Sequence, residues 1–202
     1  LSPTSLSFSS FADTATLTAT VKDAGGTVIT NPSVTWSSSD ASVATVSGAG
    51  IVTSINNGTA TVTATSGSVS ATASVTVAQV AALITLSPSS LTFTSIGVTS
   101  TLTATVMDAR SAVMSGATVT WSSSDNSTAT VSASGVVTSV AVGSATVTAT
   151  SGEVSDTVAV TVLQTATSVE LSDTVLTFPS LGDTATLTAA VKDDNGNEID
   201  GA

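Results

Sequence analysis

Thr14-Ala15-Thr16-Leu17-Thr18-Ala19-Thr20-Val21 alternates hydroxyl and apolar side chains without a break. A period of two residues places the apolar side chains on one face of a β-strand and the threonines on the other. The same alternation returns at residues 58–65 and 70–77, whereas helical spacing is sustained nowhere. The chain is therefore predicted to be all-β and built from half-buried strands.

The sequence repeats itself at a constant offset, the one that separates Leu1 from Leu86. Leu86-Ser87-Pro88 restates Leu1-Ser2-Pro3, and Leu171-Ser172-Asp173 opens a third copy. A repeat of this length indicates one small domain copied in series. We predict a first repeat over residues 1–80, a second over 81–165, and an incomplete third over 166–202 that holds only its first two strands. The chain is interpreted as an excerpt of a longer protein.

Turn residues divide the first copy into about seven antiparallel strands, spaced as in a β-sandwich. The chain has no cysteine, so no disulfide can join the two sheets. One large aromatic residue in each copy is predicted to fill the core, with small and branched residues around it. The predicted core residues are Trp36, Leu17 and Val62 in the first copy and Trp121, Leu102 and Val147 in the second.

Two further motifs recur in unchanged order. Val-Thr-Trp-Ser-Ser-Ser-Asp occupies residues 34–40 and 119–125, and Gly-x-Ala-Thr-Val-Thr-Ala-Thr-Ser-Gly occupies 58–67 and 143–152. Together with the Leu-Ser-Pro openings, these motifs resemble the bacterial immunoglobulin-like domain, group 2. The resemblance implies tandem immunoglobulin-like (Ig-like) sandwiches without the disulfide. It also implies an extracellular, cell-surface or virion location, as in surface adhesins and phage tail or virion proteins.

Charge and composition exclude several kinds of function. The net charge is −11 with only three basic residues, which would repel a nucleic-acid backbone. No run of eighteen apolar residues occurs, so no membrane insertion is expected. Histidine and cysteine are both absent, and no serine stands beside a plausible base. We therefore predict neither an enzyme nor a cofactor.

The most charged stretch carries a calcium candidate: Asp193, Asn195, Asn197 and Asp200 supply oxygens within one short segment. Its glycine is misplaced for an EF-hand, and Arg110-Ser111-Ala112 fills the equivalent turn of the second copy. A hairpin turn around Asn195-Gly196 is the preferred interpretation, with no metal.

Aspartates recur at equivalent positions: Asp23, Asp108 and Asp193 form one set, and Asp40 and Asp125 form another. Repeated acids suggest a catalytic or metal site, but aspartate also bonds its own backbone where strands end. A turn role is preferred for both sets.

The connector between copies one and two, residues 78–83, has neither glycine nor proline. It is expected to be short and stiff, which would make tandem copies an elongated rod. We predict a non-catalytic structural or adhesion module, a stalk of a larger extracellular surface or virion protein. Its partners would be neighbouring repeats of the same parent chain, and other copies in a surface fibre or virion.

Two alternatives stay open. The end loops could bind polysaccharide or a host surface, as Ig-like loops often do. The third copy could instead be completed by strands of a neighbouring molecule, which would give a filament. The apolar residues that such complementation would cover are Leu171, Val175, Leu176, Phe178, Leu187, Ala189 and Val191.

Overall fold

The computed structural model describes residues 1–200, and all regular structure in that range is β. The all-β prediction is thus confirmed. The first repeat has seven strands: β1 (Ser5–Phe8), β2 (Thr14–Thr16), β3 (Thr35–Ser38), β4 (Ala44–Val46), β5 (Ile51–Ser54), β6 (Gly58–Ser66) and β7 (Val69–Val77).

The second repeat has nine strands. They are β8 (Leu83–Ser87), β9 (Ser90–Phe93), β10 (Thr99–Thr101), β11 (Thr103–Met107), β12 (Thr120–Ser123), β13 (Ala129–Val131), β14 (Val136–Ser139), β15 (Gly143–Ser151) and β16 (Val154–Val162). Of these, β8 and β11 have no counterpart among the strands of the first repeat. The third copy contributes β17 (Ser168–Leu171) and β18 (Ala189–Lys192).

Two sheets build each sandwich. In the first repeat their strand orders are β1-β7-β6-β3 and β2-β5-β4. In the second repeat the orders are β12-β15-β16-β9 and β10-β14-β13, and β8 pairs separately with β11. Most strand pairs of the two repeats are antiparallel, but β1 pairs with β7 and β9 with β16 in parallel. The prediction of antiparallel strands throughout is corrected at this one position in each repeat.

The strand β2 is shorter than the alternation of residues 14–21 predicts. It pairs with β5 only as far as Thr16, and the Leu17 N–H then donates to Gly50 O at 2.8 Å. From Thr18 the chain pairs with Ser2 instead. In the second repeat the chain also changes its pairing partner, at Leu102, which lies between β10 and β11. Alternation survives a change of partner, so the sequence pattern does not reveal it.

The core of each sandwich is made of apolar side chains from both sheets. Leu17, Val62, Leu102 and Val147 are buried, where they were predicted. Their neighbours include Val52 and Val75 in the first repeat and the equivalent Val137 and Val160 in the second.

Trp36 and Trp121 are only partly buried and pack against the edges of their core clusters. Their predicted central position is therefore corrected. Each tryptophan lies on the outermost strand of its sheet, β3 or β12, so only one side of the strand is covered by a neighbour. The indole lies against a glycine backbone, Gly50 or Gly135, where a side chain would not fit.

The structure divides into two compact units that do not coincide with the sequence repeats. Unit 1 contains residues 1–83, but also 106–117 and 152–154 of the second repeat. Of the described residues, unit 2 contains 84–105, 118–151 and 155–200. In the described part of the chain, no helix has the length and apolarity needed to cross a membrane.

Candidate functional site

The aspartates that recur once in every copy each close a turn of their own chain. Oδ1 of Asp23 accepts the N–H groups of Gly25 and Thr27, both at 2.9 Å. Oδ1 of Asp108 accepts those of Arg110 and Ala112 at 2.9 and 3.0 Å. The same pattern in the third copy joins Asp193 to Asn195 and Asn197. The aspartate thus supplies acceptors that fix the turn, as short polar side chains commonly do.

The second oxygen of Asp108 binds residues from the preceding repeat. Oδ2 accepts the N–H of Phe11 and the side-chain amide of Gln79, each at 2.9 Å. All of these residues belong to unit 1, which contains residues 106–117 together with the first repeat. One carboxylate therefore ties its own turn to a loop and a connector of the repeat before it. We call this arrangement of Asp108, Phe11 and Gln79 an aspartate clasp.

A second aspartate clasp lies within unit 2. Oδ2 of Asp193 accepts the N–H of Ile96 at 3.1 Å and the side-chain amide of Gln164 at 3.2 Å. Ile96 and Gln164 occupy the positions of the second copy that Phe11 and Gln79 occupy in the first. Both clasp aspartates are only 2% exposed. The arrangement is thus a periodic feature of the fold, made twice with the same atoms.

Hydrogen bonding sets the charge state of the clasps. Burial acts to raise the pKa of Asp108, but the donors from Gln79 and Phe11 oppose it, and with those of the turn they hold the pKa below its ordinary value. Asp193 is subject to the same opposing effects, and its donors lower its pKa to about 2. Both carboxylates are therefore ionised at neutral pH and accept charge-assisted hydrogen bonds.

Each clasp has additional contacts that differ between the two copies. In unit 1, the Arg110 guanidinium forms an ion pair with Asp13 at 2.8 Å. In unit 2, the side-chain amides of Asn195 and Asn197 each donate to Ile96 O at 2.9 Å. The aspartate and glutamine are thus common to both clasps, whereas the surrounding contacts vary.

Sequence reasoning placed Asp108 and Asp193 in turns but missed the clasp. The signal that could have found it is Gln79, because the chain contains only two glutamines and the other, Gln164, is its equivalent in the next copy. A long side-chain amide at the same position of both connectors therefore stands out in this sequence. The partner N–H groups carried no signal, because any residue except proline supplies one.

The residues of the calcium candidate are brought together only in part. The oxygens of Asp193 face N–H donors, and the amides of Asn195 and Asn197 point to Ile96 O. Gly196 takes a φ of +81° in the turn, and Asp200 is exposed. Among residues 1–200, no group of three or more acidic, histidine or cysteine side chains is placed to hold a metal ion.

The other repeated aspartates serve their own loops. Asp40 Oδ1 accepts both the N–H and the hydroxyl of Ser42, and these bonds lower its pKa. Asp125 accepts the equivalent pair from Ser127 and adds the hydroxyl of Thr128, so its pKa is lowered as well. These contacts stay within one turn and do not reach another repeat.

The apolar residues of the third copy are largely exposed. Val175 is 78% exposed, and Leu171, Leu176, Phe178 and Leu187 are exposed to lesser degrees. Ala189 is also exposed, whereas Val191 is partly buried. Completion of this copy by strands of another molecule stays a prediction.

The family model of the bacterial Ig-like domain (group 2) matches residues 1–77 and 80–162. These two stretches make up most of the chain, so the protein belongs to this family, as the repeated motifs predicted. No curated protein matches the sequence.

Solved structures of similar chains include a surface layer protein, an invasin and an adhesin. Domains 1–6 of the surface layer protein SbsC are 29% identical, with a TM-score of 0.43 over 91% of this chain and 27% of that one. Invasin, described as a bacterial integrin-binding protein, is 19% identical, with a TM-score of 0.47 over 90% of this chain and 43% of that one.

The Escherichia coli adhesin FdeC is 20% identical, with a TM-score of 0.41 over 92% of this chain and 67% of that one. The present chain spans about a quarter of the length of the SbsC chain.

Proposed function

We propose that this chain is a non-catalytic stalk segment of a larger bacterial surface or adhesion protein. In this proposal, repeats over residues 1–80, 81–165 and 166–202 are joined stiffly and hold other parts of the parent protein away from their anchor. The single observation that carries the proposal is the aspartate clasp, because it occurs at successive repeats with equivalent residues.

A stalk needs restrained joints between its repeats, because repeats joined by freely bending connectors would not hold the other parts of the protein away from their anchor. The clasp supplies such a restraint through two hydrogen bonds to one charged carboxylate at each joint. The connector adds a further one, because the Ala82 N–H donates to Met107 O at 2.9 Å. The equivalent Thr167 N–H donates to Lys192 O at the same distance. Backbone and side-chain bonds therefore act together at both joints.

The composition suits the same role. Charged residues make up only 8% of the chain, and threonine and serine cover the outward strand faces. Family membership supports a modular architecture of tandem Ig-like domains, and that fold by itself does not specify their function. The partners of the chain would be neighbouring repeats of the parent chain, at an extracellular or cell-surface location.

The proposal is tested by measuring how tightly one joint is restrained. The chain has no cysteine, so spin labels attach only at introduced sites such as Thr61→Cys and Thr146→Cys, which are both exposed and equivalent in the two repeats. We expect a single narrow distance distribution by pulsed electron paramagnetic resonance. Asp108→Asn should broaden it about twofold or more, because an amide cannot accept all four N–H donors as a carboxylate does.

Asp23→Asn is the matched control, because Asp23 closes the same kind of turn without a donor from another repeat. It should leave the distance distribution unchanged. Gln79→Ala, which leaves the Asp108 turn intact, should broaden the distribution less than Asp108→Asn. A broad distribution already present in the unmutated chain would show a flexible joint and overturn the stalk.

A further inference from the structure

Asn57 contacts the clasp glutamine of unit 1 through both ends of its side-chain amide. Oδ1 of Asn57 accepts the backbone N–H of Gln79 at 2.8 Å, and Nδ2 faces Oε1 of Gln79 at the longer distance of 3.5 Å. Gln79 in turn donates its own side-chain amide to Oδ2 of Asp108 at 2.9 Å. Three side chains thus form one line of contacts, in which Asn57 lies one step outside the aspartate clasp.

Asn57 is followed by Gly58, and an asparagine amide is most open to attack by the next backbone nitrogen when that residue is glycine. Glycine has no Cβ, so no side chain shields its nitrogen. Asn57 is exposed and lies in the loop between β5 and β6, where water has access to it. Gly58 begins β6 opposite Val77, at the end of the ladder, where local opening releases an N–H group without unfolding the core.

The contact with Gln79 favours the same reaction. The backbone N–H that donates to Asn57 Oδ1 polarises the side-chain carbonyl and stabilises the negative charge that develops on its oxygen during attack. The side-chain nitrogen that must leave makes only the 3.5 Å contact, so little holds it in place.

The second Asn-Gly pair of the chain is bound more tightly. The N–H of Gly196, which would have to attack, donates to Asp193 O at 3.0 Å. The side-chain amide of Asn195 donates to Ile96 O at 2.9 Å. Reaction at Asn195 therefore requires that both of these hydrogen bonds break first.

The remaining asparagines lack the combination found at Asn57. Asn31 precedes proline, which has no N–H with which to attack. The N–H that follows Asn126 donates to an aspartate carboxylate at 2.9 Å. Asn56 and Asn197 each donate their side-chain amide to a backbone carbonyl, at 2.8 and 2.9 Å.

We propose that Asn57 is a site of spontaneous deamidation, and that this modification releases the aspartate clasp of unit 1. The backbone nitrogen of Gly58 forms a bond to Cγ of Asn57, and the side-chain nitrogen leaves with the displaced proton as ammonia. The resulting succinimide takes up one water at either of its carbonyl carbons. One of its two C–N bonds to the Gly58 nitrogen then breaks, which leaves an aspartate or an isoaspartate. Water is the only co-reactant.

The product changes the contacts of Gln79. The amide donor that faced Gln79 Oε1 becomes a carboxylate oxygen, which accepts hydrogen bonds and does not donate them. Two carboxylates then compete for one Gln79 amide, so Asp108 Oδ2 is deprived of its donor for part of the time. An isoaspartate also lengthens the backbone by one carbon and shifts Gly58 out of its register with Val77.

The clasp of unit 2 is not subject to this change. Val142 occupies the position equivalent to Asn57, so no amide is present there to react. Gln164 has a different second contact, because its Nε2 also donates to Glu198 O at 3.2 Å. The consequence of the modification, which is the loss of restraint at one joint, rests on the proposed stalk function, whereas the chemistry at Asn57 does not.

The test ages the full chain at mildly alkaline pH and digests it with pepsin. We expect amide-to-acid conversion at residue 57 to be at least about tenfold faster than at residue 195, where two hydrogen bonds must break first. Mass spectrometry with electron-transfer fragmentation measures the conversion and identifies isoaspartate. The amide of Phe11 donates to Asp108 Oδ2, and its hydrogen exchange should become about tenfold faster in the aged chain as the clasp opens.

Asn57→Gln is the matched control, because its longer side chain closes the equivalent ring far more slowly. The aged Asn57→Gln chain should keep the Phe11 exchange rate of the fresh one. Asn57→Asp carries the product charge from the start and should show faster Phe11 exchange without ageing. Conversion at residue 195 that equals or exceeds conversion at residue 57 would overturn the deamidation site. Unchanged Phe11 exchange in the converted chain would overturn the release of the clasp.

This proposal and the stalk fail separately. A narrow distance distribution that Asp108→Asn broadens, together with an unconverted residue 57 in the aged chain, would remove only the deamidation site. A broad distribution in the fresh chain, together with conversion at residue 57, would remove the stalk and leave the deamidation site standing.

Discussion

Gly50 and Gly135 are the residues at which a single added carbon would disturb the fold most directly. Their φ angles are +78° and +80°, a region that side chains other than glycine rarely adopt. A Cβ at Gly50 would collide with Leu17 O and come within 2.9 Å of the Trp36 indole. Gly135 repeats this situation with Leu102 O and Trp121. The glycine is required both by its backbone angle and by the ring packed on it.

We predict that Gly50→Ala lowers the free energy of unfolding by about 2–4 kcal/mol, which combines the cost of a positive φ with that of overpacking. Gly67→Ala is the matched control, because Gly67 has a φ of +60° but open space around it. It should cost only about 1–2 kcal/mol. Urea denaturation followed by tryptophan fluorescence measures both. Equal losses would show that the Trp36 contact is unimportant.

At the scale of elements, the long hairpins dominate each sandwich. Strands β6 and β7 pair over nine residues, from Gly58↔Val77 to Ser66↔Val69. By contrast, β2 and β4 each pair over three residues with β5. Val62, Val75 and Val77 of the hairpin are buried at 2% exposure or less. The hairpin therefore has the longest hydrogen-bonded ladder of the repeat, and it contributes almost fully buried side chains to the core.

We predict that amide hydrogen exchange is slowest in β6 and β7, and equally slow in β15 and β16 of the second repeat. Amides of β2 and β4 should exchange at least about tenfold faster, because short edge strands open locally without unfolding the core. Exchange measured residue by residue by nuclear magnetic resonance tests this ranking. Uniform protection across all strands of a repeat would contradict it and indicate that each sandwich opens only as a whole.

At the scale of the whole molecule, carboxylates carry most of the charge, with fourteen acidic against three basic residues. Four of them, Asp40, Asp108, Asp125 and Asp193, have a pKa below the ordinary value because they accept hydrogen bonds in the folded state. A group whose pKa is lowered by folding stabilises the fold above its unfolded pKa. That contribution is lost as the pH falls through the folded pKa.

We predict that stability is nearly constant from pH 7 to about pH 5 and falls between about pH 4 and about pH 2. The window follows from the ordinary aspartate pKa of 3.8 and the value of about 2 for Asp193. Thermal unfolding at half-unit pH steps measures it. Asp193→Asn should lower stability at pH 6 and reduce the acid slope, because its titration is removed. An unchanged slope would show that Asp193 does not contribute.

The sequence by itself determined the all-β class, the constant repeat offset from Leu1 to Leu86, the family and most strand positions. These features follow from the alternation and the motifs, which are local patterns of the sequence. Such patterns can be read without knowing which strand pairs with which. Burial of Leu17 and Val62 and of their equivalents in the second repeat follows for the same reason. Tertiary structure alone decided the parallel pairing of β1, the change of partner at Leu17 and the partial exposure of Trp36, because these depend on which strand lies next to which.

The tertiary structure also determined the aspartate clasps. Asp108 and Phe11 are 97 residues apart, and the donor is a backbone N–H that every residue except proline possesses. The aspartate and the glutamine are visible in the sequence as repeated letters. The hydrogen bond between them is not visible in the sequence, because it requires the turn of one repeat to fold against the connector of the repeat before it.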